Sequence, residues 1–172
     1  MIVASIDPGL TGGCAVLDHN GLRAVFDLPT MPIPGIGPKA LVKRKIDAHA
    51  FCALLLKHCP ASEGKAHVVI ESVGTMGGQN NAVQTQGSLL RSLGALEAVA
   101  EALGLPVAYA NAQTWKRHYG LIDPKAKDTQ RKAAALEKAR SLYPGREELA
   151  RAKDHNRAES VLIGHWYMRT LA

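Results

Sequence analysis

The sequence predicts an α/β protein: a five-stranded mixed sheet, three antiparallel strands followed by two parallel ones, flanked by helices. Three observations predict it. A short apolar run at the N-terminus stops at Asp7-Pro8-Gly9, an Asn20-Gly21 pair follows, and later apolar runs alternate with stretches of helical periodicity. Asn-Gly is the strongest short-range hairpin signal, and the alternation of strand and helix patterns implies parallel pairing.

Ile2-Val3-Ala4-Ser5-Ile6 is apolar and largely β-branched or small, as a buried strand requires. Cys14 to Leu17, the Asn20-Gly21 turn and Leu22 to Leu28 complete an antiparallel meander. Pro29 to Pro38 holds four prolines and two glycines and is expected to be a loop. It leads through a basic run, Lys39 to Lys45, into a helix from about Asp47, with Phe51, Cys52, Leu54 and Leu55 on its apolar side. That helix is a crossover, so the next strand, His67 to Glu71, is expected to pair in parallel. Ser72 to Asn81 is rich in Gly, Ser and Asn and is expected to be a loop. Val83 to Leu103 has apolar residues at helical spacing and stops at Gly104. Pro106 to Ala110 is the fifth strand. Asn111 caps a short helix carrying Trp115, Lys116 and Tyr119, and a further helix runs from Asp128 or Thr129 to Leu142. Tyr143-Pro144-Gly145 ends it, and a last helix begins at Asp154 or His155.

At 172 residues and 47% hydrophobic content, one domain spanning 1–172 with a substantial core is expected. No apolar run approaches the roughly eighteen residues of a membrane span, so no membrane partner is expected. Met1 leads directly into the first strand, so no secretory leader is expected. Cys14, Cys52 and Cys59 lack metal-ligand spacing and fit reduced thiols in a cytosol. The net charge of +6 and sequence pI near 9.4 favour a polyanionic partner. The cations concentrate in Lys39 to Lys45 and from Lys116 to Arg157.

Asp7 and Glu71 each end a strand, and those strands are the two expected to lie side by side. Ligands of open α/β sheets bind beyond such carboxyl ends. Neighbouring carboxylates repel unless a cation lies between them, and a hard, oxygen-loving ion, Mg²⁺ or Mn²⁺, suits that donor set. In the last helix His155 and Glu159 are four apart and share a face. Asp154 is either a further ligand or the cap of that helix.

Ile6-Asp7-Pro8-Gly9, Val69-Ile70-Glu71, Gln113-Thr114-Trp115-Lys116 and Asp154-His155-Asn156-Arg157-Ala158-Glu159-Ser160 together resemble the RuvC-type Holliday-junction resolvases, especially their short phage-like branch. The motifs keep the family's order and span almost the whole chain. The resemblance implies a ribonuclease H-like fold, a homodimer, and metal-dependent incision of branched DNA in the cytoplasm of a bacterial or phage-infected cell. It implies Asp7, Glu71 and Glu159 as metal ligands, with the fourth position on Asp154 or His155. Many relatives carry two aspartates three residues apart in the last helix, where this chain has Asn156 and Glu159. Relatives often carry an aromatic residue after the second carboxylate, whereas Ser72 to Leu89 contains none, only Met76.

The expected chemistry is phosphodiester hydrolysis with two Mg²⁺ ions roughly 3.5–4 Å apart, for which Mn²⁺ can substitute. His155 is expected either to hold a metal or to steer water and proton traffic. Lys43, Arg44, Lys45, Lys116 and Arg117 are expected to grip phosphates. Two placements for Trp115 follow from the sequence, stacking on a base or packing in the core. The alternatives are a flap, branch or RNA-processing nuclease of the same fold, and a junction-binding protein without catalysis. Asp7-Pro8-Gly9-Leu10-Thr11-Gly12 also looks like the first phosphate loop of actin-like kinases, but no second such loop follows.

Overall fold

The computed structural model describes residues 1–33, 43–73 and 83–171. Its main sheet has the order β3-β2-β1-β6-β7, formed by β1 (Ile2–Asp7), β2 (Gly13–Asp18), β3 (Gly21–Asp27), β6 (Ala66–Glu71) and β7 (Val107–Ala110). The β1–β2 and β2–β3 pairs are antiparallel, while β1–β6 and β6–β7 are parallel, as the crossover logic requires. Five helices accompany it among the described residues: α1 (Ala48–His58), α2 (Val83–Ala102), α3 (Ala112–His118), α4 (Asp128–Leu142) and α5 (His155–Thr170). None of them is long and apolar enough to cross a membrane.

Side chains of successive strand residues point to opposite faces, and β1 sorts them cleanly. Ile2, Ala4 and Ile6 join Phe51, Leu55, Leu96 and Ala100 on the face covered by α1 and α2. Val3 joins Trp115, Ala139, Val161 and Leu162 on the face covered by α3, α4 and α5. Burying each such aliphatic side chain contributes about 1.5–3 kcal/mol. By the same parity Asp7 follows Val3 and Ser5 toward α5, and Glu71 follows Val69.

The α5 helix lies unusually close on β1 and β2. Ser5 Oγ donates to the Ser160 carbonyl at 2.7 Å and to the Ala15 carbonyl at 3.2 Å. A side chain at Gly164 would collide with Ser5 and Leu17, and one at Gly13 would sit 2.9 Å from the Arg157 Cα. Arg157 ties the start of α5 to β3 with two hydrogen bonds of 2.6 Å onto Asp27.

The expectation of a loop over Pro29 to Pro38 is corrected at its first half. Thr30–Ile33 (β4) and Lys43–Ile46 (β5) form an antiparallel two-stranded ribbon, with Pro32 opposite Arg44. A ribbon has only edges, where a proline costs little. Arg44 donates to the Thr30 hydroxyl at 2.8 Å and to its carbonyl at 2.6 Å, which fixes the register. The remainder of that segment, with Lys39, lies outside the described residues, as does most of the expected Ser72–Asn81 loop with Met76.

Candidate active site: a carboxylate cluster around Asp7

The register Ile6 opposite Ile70 sets Asp7 and Glu71 at the carboxyl ends of adjacent parallel strands, and parity turns both toward α5. The turn after Asp7 is tight: Gly12 N–H donates to the Gly9 carbonyl at 3.2 Å. Gly9 has φ +139°, and any side chain at Gly12 would run into the Asp7 carbonyl. Asn156 Nδ2, in the first turn of α5, donates to the Thr11 carbonyl at 2.6 Å. The glycines therefore let α5 approach the turn, and that approach delivers Glu159 to the same place.

Asp7 is half-buried and makes no side-chain hydrogen bond with the described residues. Burial, then Glu159 and Glu71, hold its carboxyl well above the ordinary 3.8, with Lys116 opposing. Burial likewise raises Glu71. Lys116 supplies the local countercharge. Its Nζ lies 3.1 Å from Glu159 Oε2 and 4.0 Å from Glu71 Oε1, with Glu71 and Glu159 side chains each only 16% exposed. Burial alone would pull the Lys116 ammonium down, but Glu159 and Glu71 outweigh it and hold the group above its usual range.

Trp115 completes the arrangement from inside the core. It is fully buried, and its indole Nε1 donates to Glu71 Oε1 at 3.0 Å. Lys116 Nζ sits 4.9 Å from the centre of the same ring. Of the two placements open from the sequence, the structure gives the core, and the residue orients a carboxylate from there. Sequence reading missed that role because nothing in Thr114-Trp115-Lys116 marks the indole's direction. The available signal was that a buried Trp needs an acceptor.

The donor set of Asp7, Glu71 and Glu159 is all oxygen and fits a hard divalent cation. As the side chains stand, no three acidic, His or Cys residues among the described residues close to metal-holding distance. The ammonium of Lys116 lies against both Glu71 and Glu159 and is the positive charge that these carboxylates share here.

Two further expected members of the site have other neighbours in this structure. Asp154 is buried beneath Arg151, which donates to its carboxylate from the backbone N–H at 2.8 Å and from Nη2 at 2.7 Å. Burial would raise that carboxyl, but the Arg151 hydrogen bonds and charge hold it below 3.8. Its carboxylate is thus satisfied within the short turn Ala152–Asp154 that precedes α5. His155 is half-buried in a groove with Lys132, Arg140 and Lys153. Neither Asp154 nor His155 figures among the charges that act on Asp7.

The basic residues divide as well. Lys43 and Arg44 are exposed and Lys45 half-buried on the β4–β5 ribbon, and Arg117 is exposed on α3. Lys116 belongs to the carboxylates, so it is not a free surface clamp.

No family model matches the chain. A curated relative, the chloroplastic Holliday junction resolvase MOC1 of Chlamydomonas reinhardtii, is 37% identical over 65 residues, 37% of this chain. The match spans only 7% of that protein's length. Two solved structures cover 99% of the chain and 96% of their own. Thermus thermophilus RuvC in complex with a Holliday junction substrate superposes with a TM-score of 0.58 at 18% identity. T. thermophilus RuvC does so with a TM-score of 0.52 at 19% identity. The chain has the ribonuclease H-like fold of the RuvC-type resolvases.

Proposed function

We propose that the chain, as a single nuclease domain, is a metal-dependent endonuclease that resolves Holliday junctions by paired phosphodiester hydrolysis. One observation carries the reading: Asp7, Glu71 and Glu159 converge at the carboxyl ends of β1 and β6, with a cation already drawn between two of them. The RuvC fold and the MOC1 match support it.

Divalent cations held by Asp7, Glu71 and Glu159, Mg²⁺ by the donor chemistry, would polarise the scissile phosphate and lower the pKa of an attacking water. Trp115 holds the Glu71 carboxylate in a fixed rotamer, so little ordering remains to be done when the site loads. Lys116, displaced from the carboxylates, would offset the charge on a non-bridging phosphate oxygen. Lys43, Arg44 and Lys45 on the ribbon, with Arg117 on α3, would hold flanking phosphates, which makes binding fall steeply with salt.

A four-way junction presents two equivalent strands, so paired incision calls for two sites related by a two-fold axis. We therefore infer a homodimer. The exposed side of α2, where Leu90 is 45% exposed, would supply an apolar contact, while Leu96, Val99 and Ala100 face the sheet.

The test compares a four-way junction, a flap, a linear duplex and an RNA–DNA hybrid under Mg²⁺. Symmetric paired nicks in the junction, with little cutting of the others, are expected. Preference for the flap or the hybrid would shift the reading to another nuclease of this fold. A monomeric mass at micromolar concentration would refute the dimer.

A further inference from the structure

A nuclease site grips one phosphodiester, and the strand must continue on both sides of it. On one side the turn after Asp7 borders a cleft lined by Lys43, Arg44 and Arg91, adjoining the ribbon already assigned to DNA. The other side has no assigned contact. There a cleft of about 490 Å³ opens directly from Glu159 and Lys116 between α3 and α4. It is lined by the apolar Leu121, Ile122 and Ala135 and by a charged edge on which Arg131 and Lys132 stand beside Asp123 and Asp128.

Lys132 also lines a second groove, of about 750 Å³, between α4 and the segment preceding α5. That groove carries Lys153 and His155, and His155 is close enough to Asp128 to influence its carboxyl. The two clefts thus meet at the Asp128–Lys132 pair, whose 2.8 Å contact is exposed and costs little to open. Arg131 and Lys153 are exposed and have no acidic partner within 4 Å among the described residues. Apolar side chains spaced between separated cations suit sugars and bases between phosphates, which distinguishes a nucleic-acid strand from a free phosphate.

We propose that the cleaved strand leaves the carboxylate cluster along α4, with Arg131 and Lys153 binding successive backbone phosphates and Lys132 bridging between them. The proposal rests on the nuclease reading above. It also gives His155 a place beside the strand rather than at the metal.

The experiment measures four-way-junction affinity against salt for the wild type and for Arg131→Glu/Lys153→Glu. A double charge reversal on the opposite side of the sheet, Lys57→Glu/Lys65→Glu, is the control. All four positions are exposed, so folding is spared. The α4 variant should bind at least about tenfold more weakly, with a log–log salt slope shallower by about 2, while the control changes little. Equal loss in both variants, or no loss in the first, overturns the path. Junction cutting by the wild type is measured alongside. If it cuts while the α4 variant keeps its affinity, only the path fails, and if it neither binds nor cuts, the nuclease reading fails first.

Discussion

Asp7 and Asp154 are both carboxylates withdrawn from water, and their surroundings differ in every respect that matters. Asp154 receives a backbone N–H and a guanidinium from Arg151, and its pKa is held down. Asp7 receives no side-chain hydrogen bond from the described residues, faces two more carboxylates, and is held well above its ordinary value. A buried anion that the fold satisfies is part of the fold. One to which the fold brings no donor costs stability unless water or a bound cation completes it.

Breaking this contrast should have graded consequences. Asp7→Asn should lower Mg²⁺-dependent junction cutting by about a thousandfold, the scale of losing a central electrostatic element, while junction binding survives. Retained cutting in a single-turnover assay would end the account of the site. Trp115→Phe removes the indole N–H that orients Glu71 and leaves a smaller ring in the core, so thermal unfolding is measured alongside. Cutting should fall about 10–100-fold, as for outer partners of metal ligands, with the half-saturating Mg²⁺ concentration rising. A loss of rate with no change in Mg²⁺ dependence would make Trp115 a packing residue only.

Asp154→Ala should act in the opposite sense, costing about 1–3 kcal/mol of stability in thermal unfolding while each folded molecule still cuts. The pH dependence separates the pair further when divalent ions are chelated. Asp7 and Glu71 have folded pKa values above the ordinary 3.8 and 4.5, so the folded state holds extra protons. Stability from this source declines as pH rises from about those ordinary values through the raised ones. The Asp154 contribution is present above 3.8 and is lost as pH falls through its depressed value. Asp7→Asn should therefore flatten the decline of Tm toward neutral pH, and Asp154→Ala should flatten the decline at the acid end.

Much of the site was legible because strand parity and strand ends are properties of local pattern. Ile2 to Ile6 followed by Asp7, and Val68 to Ile70 followed by Glu71, carry the strand and the exposed end in consecutive residues. Glu159 was legible because apolar neighbours on α5 required that face to be buried. The segment Lys153-Asp154-His155 left two readings open for a complementary reason. An aspartate at a helix start looks the same whether it meets a cation or an arginine, and Arg151 lies three residues back with no pattern to mark its aim. The β4–β5 ribbon was hidden by Pro32 and by pairing between residues 10 to 16 apart, for which local propensity offers no guide. The Trp115–Glu71 hydrogen bond joins residues 44 apart and was invisible for the same reason.

Binding of Mn²⁺, followed by electron paramagnetic resonance in the absence of DNA, tests the central claim most directly. The wild type and Asp154→Ala should sequester the ion with similar affinity, and Asp7→Asn should lose at least about tenfold. Undiminished Mn²⁺ binding by Asp7→Asn, or its loss in a folded Asp154→Ala, would contradict the assignment of the unsatisfied carboxylate as the metal centre.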